Sequence, residues 1–330
     1  VLSTGFKITV KKATFLFLIF SFFFIAFRLN VALEQKIQTN DTNKTFIVEK
    51  GDSLYGILNK IEKKYDLSST WWIRFRYIFK EYPVIKAGRY NVFNNSSVSE
   101  LIKRFEEGDV QLFKFTVIEG TVAQSNLIKL EKLILEENLD FKIPPEVAEL
   151  LSKEGLIMPD TYFFSDDQDL VQVLTDSRDF LEKLLADEWK NKPEANPLKT
   201  PEEALILASI IEREAVLQSE QNTIASVFLA RLKIDMKLQA DPTSSYGYYQ
   251  DYGGKIGRAV LDDKNLYNTY QIKGLPPGPI CFPSTTAIKA AINSLPGEYF
   301  YFVARGDGSH IFSKTYEEHN KAVKKYIYSK

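Results

Sequence analysis

The stretch "KKATFLFLIFSFFFIAFRLNVALEQ" constrains the fold more than any other part of the chain. After Lys11 and Lys12 it runs uncharged from Ala13 to Phe27, fifteen residues. A bilayer core calls for about 20 apolar residues in a helix. Extension through Leu29, Val31 and Ala32 to Leu33 gives twenty-one, with Arg28 able to snorkel towards a headgroup layer. A cleaved signal peptide is the rival reading, since its apolar core is about 7–15 residues. Its cleavage site wants small residues, and Phe27, Arg28, Leu29 and Asn30 stand there instead. The expectation is therefore an uncleaved transmembrane anchor over residues 13–33. Lys7, Lys11 and Lys12 precede it, which by the positive-inside rule makes residues 1–12 a cytoplasmic tail. The rest of the chain then lies on the far side of the cytoplasmic membrane, held by a single pass.

A chain of 330 residues leaves room for one large domain or two ordinary ones besides the anchor. A net charge of -1 gives no basic balance for nucleic acid. One cysteine, Cys281, excludes an internal disulfide and any zinc site of several cysteines. The two histidines, His310 and His319, are too few for a His-rich metal site and read as hydrogen-bonded structural groups. Catalysis then falls to carboxylates, hydroxyls and backbone, and no metal or cofactor is expected.

Residues 34–45 are polar and read as a spacer. A β-rich run, Phe46 to Val48, then passes through Gly51-Asp52 into a helix with Ser53 as N-cap and Leu54, Ile57, Leu58 and Ile61 as its apolar stripe. A helix over Trp71 to Phe79, a return strand over Ile85 to Phe93 and a helix closed by Gly108 follow. Strand, Gly-Asp-Ser and helix resemble the opening of LysM-type glycan-binding modules; an ordinary helix cap in a small α/β domain accounts for them equally. The boundary is placed so that residues 46–115 form this domain and 116–330 a second, α+β one. There, Val110 to Thr121 reads as a strand with a Gly120 turn, and Leu170 to Asn191 as a long amphipathic helix.

"KTPEEALILASIIEREAVLQSE" has a clear helix start: Thr200 caps, Pro201 takes the first position, and Glu203 completes a capping box. Ala204 to Ile211 is apolar apart from Ser209. Glu214 follows Leu207, Ile210 and Ile211 by seven, four and three residues, so it shares their face, while Glu212 is turned away by about 200°. Two readings stand at this point. Glu212, Arg213 and Glu214 mark where the helix emerges into solvent, or Glu214 is a carboxyl held against apolar walls and raised in pKa for general-acid work. Downstream, Asp241-Pro242-Thr243 reads as a turn. Tyr246, Tyr248, Tyr249 and Tyr252 crowd behind it, and Asn268, Thr269 and Tyr270 precede the rigid "LPPGP". Aromatic faces and short polar side chains suit a sugar groove, and a purely structural aromatic loop is the alternative.

Seven stretches in order, "EGLIMPDTYFF", "LASIIEREA", "ASVFLARL", "MKLQADPTSSYG", "YNTYQIKGLPPGPI", "YFYFVARGDGSHIFS" and "HNKAV", resemble the YceG-like (MltG) family of endolytic murein transglycosylases across Glu154 to Val323. Met158 stands where the family often has an aromatic residue. The resemblance implies cleavage within the glycan strands of peptidoglycan, leaving 1,6-anhydro-N-acetylmuramyl ends. It implies Glu214 as the catalytic carboxyl and Glu212 as a supporting or structural group; apart from the resemblance, His310 is read as a supporting group behind the site. Candidates for holding the sugar are Asp241, Thr243, Tyr246, Asn268, Thr269 and Tyr270. The partners it implies are peptidoglycan strands, the membrane and cell-wall synthases. Two rivals remain: a hydrolase in which Asp241 or Glu220 activates water, and an anchored wall-binding protein without catalysis.

Overall fold

The structure is a computed structural model that describes residues 2–40, 44–68, 70–77 and 83–328, with side chains from residue 12 onward. Two compact units divide between Phe113 and Lys114, two residues before the boundary expected from the sequence.

In the first unit, α1 (Leu2–Glu34) carries the apolar run. Lys12–Glu34 is long and apolar enough to cross a membrane, with a mean hydropathy of 2.2 and almost none of it buried. That exposure is incompatible with a core helix, which hides its apolar side chains. β1 (Thr45–Val48), α2 (Leu54–Lys64), a 3-10 helix (Thr70–Tyr77), β2 (Gly88–Asn91) and α3 (Val98–Glu107) follow. β1 and β2 pair antiparallel with Phe46 opposite Tyr90. Ser53 caps α2, its hydroxyl accepting from the Gly56 N–H at 3.1 Å, and Leu54, Ile57, Leu58 and Ile61 are buried. Ser97 and Glu100 close a full capping box on α3, which ends at Gly108 in the left-handed region (φ 67°).

Two expectations change here. The polar stretch after the anchor is packed into the domain: Ile37 is fully buried in its core and donates its N–H to the Ser96 carbonyl at 2.8 Å. Ala32, in the last turn of α1, belongs to the same core, so the helix enters the domain without a free spacer. A lone isoleucine among polar neighbours carries no period, which is why the sequence pattern passes over it. Residues 41–43 of that stretch lie outside the described residues. The helix expected over Trp71 to Phe79 is a 3-10 helix ending at Tyr77, and Phe79 lies outside the described residues.

The second unit opens with β3 (Phe113–Thr116), paired with β4 (Thr161–Phe164). Between them lie α4 (Ala123–Glu136) and α5 (Pro145–Leu150). Then come α6 (Asp167–Trp189), α7 (Pro201–Glu214), a short 3-10 turn (Gln218–Glu220), α8 (Gln221–Lys233), α9 (Asp241–Tyr249), α10 (Arg258–Asp262) and α11 (Thr285–Asn293). The antiparallel hairpin β5 (Tyr301–Ala304) and β6 (His310–Ser313) and α12 (Tyr316–Tyr326) complete it.

Helix α7 is the centre, packed on α11 and α8 with α6 and α9 alongside. Leu207, Ala208, Ile210 and Ile211 have no exposed surface, and each fully buried Leu or Ile contributes roughly 1.5–3 kcal/mol. Ser209, the one polar residue among them, is used: its hydroxyl donates to the Ile206 carbonyl and accepts the Ile280 N–H at 3.0 Å. Thr200 caps as expected, but only half the capping box forms, because the Glu203 carboxylate accepts from the Lys199 N–H at 2.6 Å.

Candidate active site

Glu214 is the last residue of α7, and Ala215 leaves the helix in an extended conformation (ψ 101°). The carboxyl enters the wall of a cavity of about 490 Å³. Arg231 of α8, Leu238, Asp241 at the start of α9, Tyr270, Tyr301 and Phe302 of β5, and His310 and His319 form other parts of that wall. Every element contributing a wall residue is packed on the α7 core or on the hairpin beside it, so the fold fixes the cavity.

Burial pushes the Glu214 carboxyl up to about 8, and the negative charge of Asp241 pushes the same way. The charges of Arg231 and Arg213 and a hydrogen bond from the Asp241 backbone oppose this without overcoming it. The free carbonyls at the C-terminus of α7 also disfavour a negative charge there. A carboxyl with these neighbours is protonated at neutral pH and still within reach of ionisation, as a group that gives and retakes one proton must be.

Arg231 is 6% exposed, with Nε donating to the Phe300 carbonyl and Nη1 to the Leu238 carbonyl, both at 2.6 Å. These bonds lock the guanidinium as a fixed positive charge in the cavity wall. It is a site residue that the sequence expectations omit, although its place after Val227 and Phe228 on the buried face of α8 is a signal for it. His310 is held by Glu220, whose carboxylate accepts from its N–H at 3.1 Å and meets Nδ1 at 2.7 Å. His319 stacks on Tyr301 with ring centroids 5.3 Å apart, and burial and the Arg231 charge lower its pKa.

The structure sorts the residues expected to hold a ligand. Asp241 and Tyr270 line the cavity, joined by a hydrogen bond from the Tyr270 hydroxyl to Asp241 Oδ1 at 2.7 Å. Thr243, Thr269 and Asn268 are fully buried instead. The hydroxyls of Thr243 and Thr269 meet at 2.8 Å, and Thr269 also accepts the Ala240 N–H. Asn268 Nδ2 serves the Val260, Leu261 and Asp263 carbonyls, while its Oδ1 accepts from Ser244 and from the Tyr270 N–H. The polar groups of these three are spent on a network inside the protein, beside Asp241 and Tyr270. Tyr246 stands apart from these: its hydroxyl donates to Glu154 at 2.8 Å and its ring packs on Tyr267, outside the cavity wall. The expected turn at Asp241-Pro242-Thr243 is the first turn of α9, because proline near a helix N-terminus suits a helix start as well as a turn.

Glu212, on the opposite side of α7, accepts from the N–H and hydroxyl of Ser284, the N-cap of α11. It ties the two central helices together. Arg213 lies over the Tyr252 ring at 3.6 Å and donates to the Gly120 carbonyl. Glu220 is committed to His310 and does not line the cavity, which removes it as the carboxylate facing Glu214. Among the described residues no group of three or more His, Cys, Asp and Glu side chains converges as a metal site would.

One raised carboxyl, one acidic neighbour, one fixed arginine and tyrosines thus line a single open cavity, an arrangement suited to acid–base chemistry on a polar ligand. The chain belongs to the YceG-like family, whose match covers residues 46–325. It is 29% identical over 328 residues to an endolytic murein transglycosylase of Bacillus subtilis (strain 168), covering 90% of this chain and 89% of that protein. An endolytic murein transglycosylase of Streptococcus pneumoniae (serotype 2, strain D39) is 25% identical over 351 residues; these cover 92% of this chain but 62% of the longer streptococcal protein. The crystal structure of a YceG-like protein from Listeria monocytogenes superposes with a TM-score of 0.51 at 28% identity, covering 84% of this chain and 98% of that one.

Proposed function

We propose that this protein is a membrane-anchored lytic transglycosylase that cuts peptidoglycan glycan strands between N-acetylmuramic acid and N-acetylglucosamine. The observation that carries the reading is the Glu214 carboxyl, raised to about 8 in a cavity walled by tyrosines and Arg231. Its protonated form gives its proton to the bridging oxygen as the glycosidic bond opens. The C6 hydroxyl of the same muramyl ring attacks the oxocarbenium-like carbon, and Glu214, now a carboxylate, takes the hydroxyl proton. Glycosidases usually need two carboxylates because the second one serves as, or activates, a nucleophile. An internal hydroxyl already stands at high effective concentration, so one carboxyl suffices. The product is a 1,6-anhydro end, and no cofactor enters the scheme.

In this reading α1 is a single-pass anchor with its N-terminus in the cytoplasm. Residues 46–115 serve as a LysM-like glycan-binding part and residues 116–330 as the catalytic domain, acting beside cell-wall synthases to end nascent strands. The experiment is digestion of purified peptidoglycan by the full chain and by Glu214→Gln, with strand length read by chromatography. Shortened strands with the wild type alone support the reading. Intact strands with retained binding would leave an anchored wall-binding scaffold. One observation favours a second enzyme reading: Asp241 shares the cavity and its charge acts on Glu214. If Asp241 activates water there, the protein is a hydrolase and the new ends are reducing.

A further inference from the structure

The apolar run of α1 raises a problem of length. From Lys12 to Arg28 an α-helix rises about 24 Å, at 1.5 Å per residue, against a hydrocarbon core of about 30 Å. Arg28 is therefore carried into the outer edge of the apolar layer rather than beyond it. The structure puts an aromatic cover at that level. The ring of Trp72 packs edge-on against Phe24, with centroids 5.8 Å apart, and Arg28 lies over the same ring at 5.3 Å.

Trp72 belongs to the 3-10 helix Thr70–Tyr77, which packs along α1 in the same unit. With three residues per turn, side chains three apart eclipse each other. Thr70 and Ile73 thus point together into the core, 1% and 0% exposed. The remaining positions pair on the outside. Trp72 stacks on Phe75 at 5.9 Å, and the Arg74 guanidinium lies over Trp71 at 4.4 Å. Trp71 keeps 40% of its surface exposed on this outer face, and Phe24, on α1 beside Trp72, keeps 48%. Tryptophan and arginine together are the composition of the membrane–water interface, where the ring meets the acyl boundary and the cation meets phosphate. Arg28 Nε is buried without a hydrogen-bond partner within the protein, its guanidinium lying against the Trp72 ring.

We propose that this aromatic turn is a membrane-interface site: Trp71, Trp72 and Phe75, with Arg28 and Arg74, sit in the outer headgroup layer of the bilayer that α1 crosses. The proposal rests on the anchor reading above and not on the chemistry of Glu214. The turn completes the short apolar span from the side and seats the first unit directly on the lipid surface. Continuity with α1 selects lipid as the occupant, because Trp72 packs on the spanning helix itself.

The three tryptophans of the chain, Trp71, Trp72 and Trp189, make the test simple. The full chain carrying Trp189→Phe is reconstituted into phosphatidylcholine–phosphatidylglycerol vesicles whose acyl chains are brominated either near the headgroup or near the chain end. Should that variant misfold, the difference in emission between the wild type and the Trp71→Phe/Trp72→Phe double variant reads the same quantity. The expected result is flotation with the vesicles and loss of most Trp71 and Trp72 emission with shallow bromines, and a smaller loss with deep ones. Flotation with emission indifferent to bromine at both depths would overturn the proposal while leaving the anchor standing, and would place the turn in water or against protein. Stronger quenching by the deep bromines would overturn the headgroup placement. Failure to float would overturn the anchor reading, and the proposal with it.

Discussion

Replacing Glu214 by glutamine should make the second unit more stable at neutral pH, by an amount that grows with pH. A glutamate in the unfolded chain ionises near 4.5, and the folded value is about 8. A carboxyl raised on folding contributes stability that is fully present below the unfolded pKa and lost as pH rises through the folded one. Each tenfold change in proton affinity corresponds to about 1.36 kcal/mol, so the loss accrues to about 3 kcal/mol by pH 7 and to at most about 5 kcal/mol above pH 8. Glu214 is half-buried rather than sealed from solvent, which screens the charge, and we expect about 2 kcal/mol of this to be measured at pH 7. Glutamine does not ionise and escapes the loss. The assay is urea unfolding of the full chain in detergent from pH 4.5 to 8.5 in a Trp71→Phe/Trp72→Phe background, where Trp189, packed on the α7 core, reports on this unit. Titrations away from the cavity are common to the two proteins, so the difference isolates Glu214 and its coupling to Asp241. A gap that stays flat across this range, or that favours the wild type at high pH, would refute the raised carboxyl.

Asp241→Asn removes a charge that raises Glu214, so the alkaline limb of cleavage activity should move to lower pH, and a limb that moves up or stays put would contradict the pairing. Asn268→Ala leaves several buried backbone groups without partners; at about 1–3 kcal/mol for each group left unsatisfied, it should lower the unfolding midpoint strongly. The pH of the alkaline limb should survive in whatever fraction folds. Glu212→Ala strips the Ser284 N-cap of its partner and should cost about 1–3 kcal/mol in urea unfolding without shifting that limb. A shifted limb would mean that Glu212 acts on the reacting group rather than on the packing of α7 and α11.

Much of the architecture is legible in the sequence because it rests on local rules. The 3/4 spacing of Leu54, Ile57, Leu58 and Ile61, the caps Ser53 and Thr200, and the Gly108 helix end each act within a few residues. Glu214 can be set on one face with Leu207, Ile210 and Ile211 for the same reason, since helix geometry alone relates those positions. The cavity is a different matter. Arg231, Tyr301 and His319 reach Glu214's surroundings through the packing of α8, β5 and α12, contacts separated by up to about a hundred residues that no local pattern encodes. Thr243, Asn268 and Thr269 are ambiguous in the sequence for a related reason. A short polar side chain near a loop reads the same whether it faces a sugar or closes a network of buried carbonyls, and only burial tells the two apart. Ile37 shows the limit at its smallest, one apolar residue whose backbone partners, Asn95 and Ser96, lie far along the chain.

The central claim is that a single carboxyl, Glu214, opens the glycosidic bond while the sugar's own hydroxyl closes it. The most direct measurement is mass spectrometry of the new strand ends made by the full chain on purified peptidoglycan in oxygen-18 water. The account predicts muramyl ends lighter by one water than a reducing end, free of the heavy isotope, and missing altogether with Glu214→Gln. Reducing ends carrying oxygen-18 would contradict it and turn the site into that of a hydrolase.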